Sequence, residues 1–298
     1  MVRCTACGTS LGKNAFKDLA EHFAGLATRS DPEHIGWLNR NLIKTRVEVR
    51  ELERLFRVYF DYKNDGLSRW AKKRFIERFY GENLHPFVER LQNPSRSTLL
   101  GYVLEHQHFL RQWVKSLAMI VAKTDKDDVL RFELENITTE FGGHDKCGEV
   151  AHFELLIRMG VSQGLAREKI LANPPLPLTK KCIEIWNSIA RDSHWAETML
   201  AMHGLELVAN RNLRQEGATK HYFDPKILTE AKINPETKAF LREGYEADVH
   251  HSEYALKMVE KYGKEYDIID DIQATFLRSL DVFDKYLMSR VHRAEEFD

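Results

Sequence analysis

The chain has 298 residues, 43% of them hydrophobic, and its 44 Lys and Arg against 45 Asp and Glu leave a formal net charge of -1. That composition supplies a sizeable core for one large or two ordinary domains and excludes a disordered chain. No stretch gathers basic residues among aromatics, which excludes nucleic acid, and apolar runs such as Leu117 to Ala122 fall far short of the ~20 residues of a spanning helix, which excludes a membrane.

The N-terminus, MVRCTACGTSLGKNAF, has no apolar signal-peptide region, so the expected location is cytoplasmic. The four cysteines, Cys4, Cys7, Cys147 and Cys182, form no disulfide framework in a chain of this size. Cys4-x-x-Cys7 is half of a zinc knuckle, but no second Cys-x-x-Cys completes a tetrahedral site. The expectation is a flexible end over residues 1–13, inside a single helical domain spanning 1–298.

Apolar residues recur at helical spacing throughout, and strand-like alternation is nearly absent, so the chain reads as all-α. Phe16, Leu19, Phe23 and Leu26 mark a helix over Asn14 to Arg29. Ser30-Asp31-Pro32-Glu33 caps a second one, expected to run unbroken past Phe56 and Tyr59. Leu67 to Tyr80 is a further amphipathic segment, and His85-Pro86 opens a short helix. Asn93 to Ser97 caps a long one over Thr98 to Lys123, which carries Glu105, His106 and His108. Val129 to Phe141 is helical until Gly142-Gly143. The next helix starts near Cys147 or Gly148, passes His152 and stops at Gly160. The proline-rich stretch Ala172 to Leu178 is a loop within the domain. Thr179 to Asn210 reads as one long helix with His203 and Glu206 on one face. Pro235 opens another, and Tyr266 to about Arg290 forms the last, spaced for packing.

Lys238 to Gly263 holds the densest titratable face. There Asp248 and His251 stand three residues apart, a metal-ligand spacing on a helix. Carboxylates recur on other helices at Glu105, Glu140 or Glu149, and Glu206. Bundles that hold a pair of metal ions project Glu and Glu-x-x-His side chains inward from facing helices. Glu105-x-x-His108 and Glu149-x-x-His152 have that spacing, but using them leaves Asp248 and His251 without a role.

The run Glu135 to Gly143, followed by Ala151 to Leu156 and Met159 to Val161, resembles the second core helix of the haem-oxygenase-like diiron oxidases. Phe240 to Ser252 resembles their third. The likeness covers Leu99 to Gly263, about half of the chain. It implies an up-down helical bundle with extra N-terminal helices and a metal-binding core over 98–263. The implied ligands are Glu105, Glu140, His152, Glu206, Asp248 and His251, holding Fe(2+), two per chain. The implied function is a non-haem diiron oxidoreductase that uses dioxygen on a small organic substrate, an amine or amino acid, in a biosynthetic pathway. Fatty-acid oxidative decarboxylation is the alternative within the family, and a homodimer is compatible with it. Gly244 stands where many members have a further histidine, and the Glu140 to His152 gap is longer than usual, which leaves Glu149 in competition with Glu140. Tyr102, Phe109, Trp113, Phe153 and Tyr245 are the expected cavity walls, and Arg111, Arg158 and Arg242 the cations nearest the site. Two rival readings are a metal-free thiaminase-like hydrolase with Cys147 or Cys182 as nucleophile, and a non-enzymatic helical binding protein.

Overall fold

The computed structural model describes residues 2–12, 14–143 and 150–298, and the side chains of 247, 248 and 250 lie outside the described set. Thirteen α-helices are described: α1 Ala15–Thr28, α2 Pro32–Leu42, α3 Val49–Tyr59, α4 Leu67–Phe79, α5 Pro86–Leu91, α6 Arg96–Lys123, α7 Asp127–Gly142, α8 His152–Ser162, α9 Arg167–Ala172, α10 Pro177–Asp192, α11 Trp195–His203, α12 Pro235–Glu265 and α13 Ile269–Glu295. Three short 3-10 turns fall between α11 and α12.

The bundle is built around α6 and α13. Both bury residues around most of their circumference, as a helix does when it is enclosed by others. α7, α8, α10 and α11 pack about α6, while α12 closes over α8 and α11. Gly101 lets the two central helices meet: a Cβ there would lie 2.3 Å from the backbone oxygen of Arg290 and 2.8 Å from the nitrogen of Ala294. Gly101→Ala must push two backbones apart, and we expect it to cost ~1–3 kcal/mol or more, read as a lowered urea midpoint with an unchanged slope.

The extra N-terminal helices form their own layer, in which α1 packs on α2 and α3. An aromatic chain from Phe23 through Trp37, Phe56, Phe60 and Trp70 to Phe276 on α13 ties that layer to the bundle. The end expected to be flexible is packed instead, with Val2 and Cys4 fully buried.

Two expected long helices are broken, for identifiable reasons. After α2, Ile43 takes a left-handed conformation at φ 55°, and the Lys44 N–H closes back on the Leu38 carbonyl at 3.2 Å, a helix-ending turn that folds α3 onto α1. After α10, Lys123 at the end of α6 donates to the carbonyls of Ala190, Arg191 and Ser193 at 2.6, 2.7 and 2.9 Å, so those acceptors no longer seek a following turn. His194 then caps α11, its backbone N–H donating to Glu197 Oε1 at 2.9 Å while its Nδ1 accepts from Ala196 at 3.2 Å. Gly160 does not stop α8; it sits inside it, where a Cβ would strike Ile170 and Val103 at 2.6 and 2.8 Å. No helix among the described residues is long and apolar enough to cross a membrane.

Candidate functional site

A cavity lies inside the bundle, walled by α6, α8, α12 and α13 and by the 3-10 turn Gly204–Val208. Phe109, Trp113, Phe223, Phe240 and Phe283 make most of it apolar, and Glu140, His152 and Glu206 open onto it together with Tyr102, Tyr222, His106 and Arg290. Of the expected walls, Tyr102, Phe109 and Trp113 do line it.

Glu206 arrives through the tightening of the backbone after α11. The 3-10 turn sets it beside His203, whose Nδ1 donates to Glu206 Oε2 at 3.0 Å. The other nitrogen of His203 donates to both oxygens of Glu133 on α7 at 3.0 and 3.1 Å. Glu133 is fully buried and His203 is nearly so. Burial alone would drive the imidazole neutral, but the two carboxylates outweigh it and hold its pKa up to about 10. Burial likewise opposes ionisation of Glu206, yet the charge and hydrogen bond of His203, with help from His251, hold it down to about 2. The His251 Nδ1 stands 3.8 Å from Glu206 Oε1.

Glu140 is held the other way. Burial, together with the nearby carboxylates of Glu243 and Glu206, raises it to about 7 against the pull of His152. His152, the first residue of α8, is paired through Nδ1 with the buried Glu243 of α12. Two carboxylates on one cavity wall are thus driven apart, Glu206 ionised and Glu140 poised near neutrality.

Of the six expected ligands, Glu140, His152, Glu206 and His251 come together around this end of the cavity. Glu105 does not join them: it is fully buried where Arg293 Nε donates to it at 2.7 Å and the Leu176 N–H at 3.1 Å, tying α6 to α13 and the loop before α10. The Asp248 side chain, Glu149 and Cys147 lie outside the described residues. Arg111, Arg158 and Arg242 are exposed, and Arg158 pairs with Glu154 at 3.4 Å. Sequence reasoning missed Glu133, although it stands two turns before Glu140 on the same face of α7, and placed Glu243 on the titratable face of Lys238 to Gly263 without giving it a role.

A second cluster lies at the N-terminus. Cys4, Cys7, His22 and His34 place one donor atom each within 4.8 Å of one another. The Cys4 Sγ to His34 Nε2 and Cys7 Sγ to His22 Nε2 distances are both 3.4 Å, and His22 Nε2 to His34 Nε2 is 3.1 Å. Zinc bonds of ~2.3 Å to sulfur and ~2.0 Å to nitrogen give tetrahedral edges of about 3.5 and 3.3 Å, so the donor set fits that ion. His34 Nδ1 is hydrogen-bonded to Asp31 at 2.7 Å, which orients the ring with Nε2 turned to the other three donors. The expected half-knuckle is therefore completed by histidines of α1 and α2.

Comparison with known proteins assigns the family. Residues 70–294 match the model of the TENA/THI-4/PQQC family, well over half of the chain. The chain belongs to the TENA/THI-4/PQQC family. Residues 1–61 are similar to a C2H2 type zinc-finger, in one copy. A domain of unknown function with a heme oxygenase-like fold from Shewanella denitrificans is similar in structure, with TM-score 0.58 at 16% identity over 84% of this chain and 95% of that one. A TenA family transcription regulator from a Silicibacter species aligns with TM-score 0.51 at 13% identity, covering 77% and 94% of the two chains. A CadD-like protein of unknown function from Nostoc punctiforme gives TM-score 0.51 at 16% identity, over 83% and 98%. No curated protein matches the chain. These likenesses show an all-α, up-down bundle of the haem-oxygenase-like kind.

Membership of the TENA/THI-4/PQQC family corrects the expectation of a diiron oxidoreductase using dioxygen and two Fe(2+) per chain. The matched model is that of the TENA/THI-4/PQQC family and not of a diiron oxidase, and the cluster with metal-binding geometry among the described residues is the Cys/His set at the N-terminus, whose two sulfurs and two imidazoles suit zinc. In the cavity two of the expected ligands pair with protein groups, Glu206 with His203 and His152 with Glu243.

Proposed function

We propose that the cavity is the active site of a thiaminase-type hydrolase that cleaves a C–N bond in a small heterocyclic substrate. The observation that supports this is the pair of oppositely tuned carboxylates, Glu140 and Glu206, on one aromatic-walled cavity inside the family-matched segment. As the attacking group displaces the leaving nitrogen, protonated Glu140 supplies the proton that the nitrogen takes, and the attacking group gives its own proton to His152. Glu140, now ionised, takes a proton from the water that cleaves the new bond, while ionised Glu206, too weak a base for either step, holds the positive charge of the heterocycle. His152, paired with Glu243, borders the same space.

Of the two candidate nucleophiles, Cys182 is unsuited: it is buried, its thiol donates to the Val282 carbonyl at 3.4 Å, and burial pushes its pKa up to about 12. Cys147 stands in sequence between Glu140 and His152, both of which reach the cavity, and is our assignment for the attacking thiol. Thiamin and thiamin monophosphate are the test substrates, with release of the pyrimidine half as the readout. We expect turnover in the unaltered chain and in Cys182→Ser, and loss by about a hundredfold or more in Cys147→Ser and Glu140→Gln. Because the active Glu140 is protonated, kcat/KM falls as pH rises through about 7. No hydrolysis by the unaltered chain, or full activity in Glu140→Gln, sinks the reading.

The Cys4, Cys7, His22 and His34 cluster supports a separate role, structural zinc binding. The centre would fix the N-terminal layer and take no part in the cavity's chemistry.

A further inference from the structure

We propose that Arg290 is the anion-recognition group of the cavity, its guanidinium receiving a carboxylate or phosphate oxyanion carried by the substrate. This rests on the reading of the cavity as the substrate site and adds the charge that the substrate bears there.

Arg290 comes from the core face of α13, is 2% exposed and lines the cavity. Its hydrogen-bond partners are neutral: Nη1 donates to the Tyr222 hydroxyl at 2.8 Å, and Nη2 donates to His106 Nδ1 at 2.8 Å and to the Tyr286 hydroxyl at 2.9 Å. Its Nε is buried and meets no acceptor among the described residues. The rings of Tyr102 and Tyr286 stack on the guanidinium at 4.2 and 4.6 Å, which eases its burial without cancelling its charge.

Other interior arginines have a carboxylate: Arg293 holds Glu105 at 2.7 Å and Arg78 holds Asp281 at 2.6 Å. An unpaired buried cation is costly and persists when something outside the fold supplies its counter-charge. The surroundings favour an oxyanion. His106 Nδ1 accepts from Arg290, so its proton sits on Nε2 and the ring is a donor on its far edge. Tyr222 passes the chain on by donating to the Tyr102 hydroxyl at 3.2 Å. A planar fork with phenol and imidazole neighbours matches the oxygens of a carboxylate or phosphate. Ionised Glu206 stands elsewhere on the same wall and repels an anion, so the charged group is confined to the Arg290 end and the rest of the substrate is directed toward Glu140 and Glu206.

The test is calorimetric titration of the 298-residue chain with benzoate, phenyl phosphate and benzamide at matched ionic strength. We expect at least one of the anions to bind about tenfold or more tightly than the isosteric amide, with the stronger of the two naming the oxyanion. Arg290→Gln, checked by circular dichroism for a native fold, should erase the difference. Where that variant does not fold, benzoate should protect residue 290 of the unaltered chain from phenylglyoxal, read by peptide mass mapping. Equal binding of benzoate, phenyl phosphate and benzamide overturns the role of Arg290 and leaves the cavity reading standing. Binding of none of the three removes both. A preference for anions that survives in folded Arg290→Gln, or a failure of benzoate to protect residue 290, assigns the anion to another group and overturns the proposal.

Discussion

The purified chain should carry one zinc, and removing it should melt the first three helices before the rest. Cys4 and His34 are buried and Cys7 and His22 are half-buried, so the four donors reach from the interior of the N-terminal layer toward its edge. Without an ion, two thiols and two imidazoles are left within 4.8 Å of one another beside the apolar core that Leu19, Phe23, Trp37 and Phe56 make in this layer. Structural zinc contributes ~10–16 kcal/mol of apparent binding energy in isolated finger peptides, and a fraction of that is already comparable with the whole stability of a small domain. The layer is also anchored to the bundle, since Arg3 pairs with Glu197 of α11 at 3.2 Å. We therefore expect chelation or Cys4→Ser to raise hydrogen exchange across α1 to α3 strongly and to leave α6 and α13 protected. Metal analysis is the first check; a folded chain with no zinc, whose exchange pattern Cys4→Ser does not alter, refutes the assignment.

That centre also shows where reading the sequence runs out. The Cys4-x-x-Cys7 spacing was legible, but its partners lie on two different helices with eleven residues between His22 and His34, far from the three to five usual in a finger. Only the packing of α1 on α2 makes them neighbours. The helix breaks at Ile43 and Ser193 escaped for a related reason. Apolar periodicity runs through both, and what ends α10 is Lys123, sixty-seven residues away in sequence from Ala190. By contrast α4, α6, α12 and α13 were legible to within a few residues, because strong periodicity coincides with caps such as Ser95 and Asn234.

At the cavity, Glu140, His152 and Glu206 were named together only as metal ligands that the family resemblance implied; it is the packing of the helices that sets them on one cavity. Their chemistry was not legible, because it depends on who else is buried there. Spacing alone also drew in Glu105, which Arg293, 188 positions along the chain, claims for packing. Arg290 gave no signal: a cation inside the last helix reads as surface until the helix proves to be enclosed.

His203→Ala should be the most damaging single change at the cavity. His203 is the cation between Glu133, which is fully buried, and Glu206, which lines the cavity. Truncation strands those carboxylates with only His251 nearby, 3.8 Å from Glu206, and breaking a buried ion pair from one side costs ~3–5 kcal/mol. The pH dependence separates this from simple cavity creation. The pKa of His203 is raised to about 10 in the fold, so its contribution is complete below about 6.5, the unfolded value, and is lost as pH rises through 10. Glu206, lowered to about 2, contributes fully above its unfolded value and loses that as pH falls toward 2. Glu140, raised to about 7, has the opposite effect, since the fold binds a proton that the unfolded chain has released, and stability declines as pH rises from the ordinary carboxylate range to about 7. The unaltered chain should thus be most stable in mildly acidic solution and weaken toward pH 9. Urea midpoints measured from pH 5 to 9 should show His203→Ala less stable throughout, with a flatter alkaline side. His203→Gln should recover part of the loss by donating one neutral hydrogen bond, and Glu133→Gln combined with His203→Gln should recover more by removing one of the stranded charges. If His203→Ala were no less stable than the unaltered chain at pH 6, the buried triad could not be what fixes Glu206 at the cavity wall.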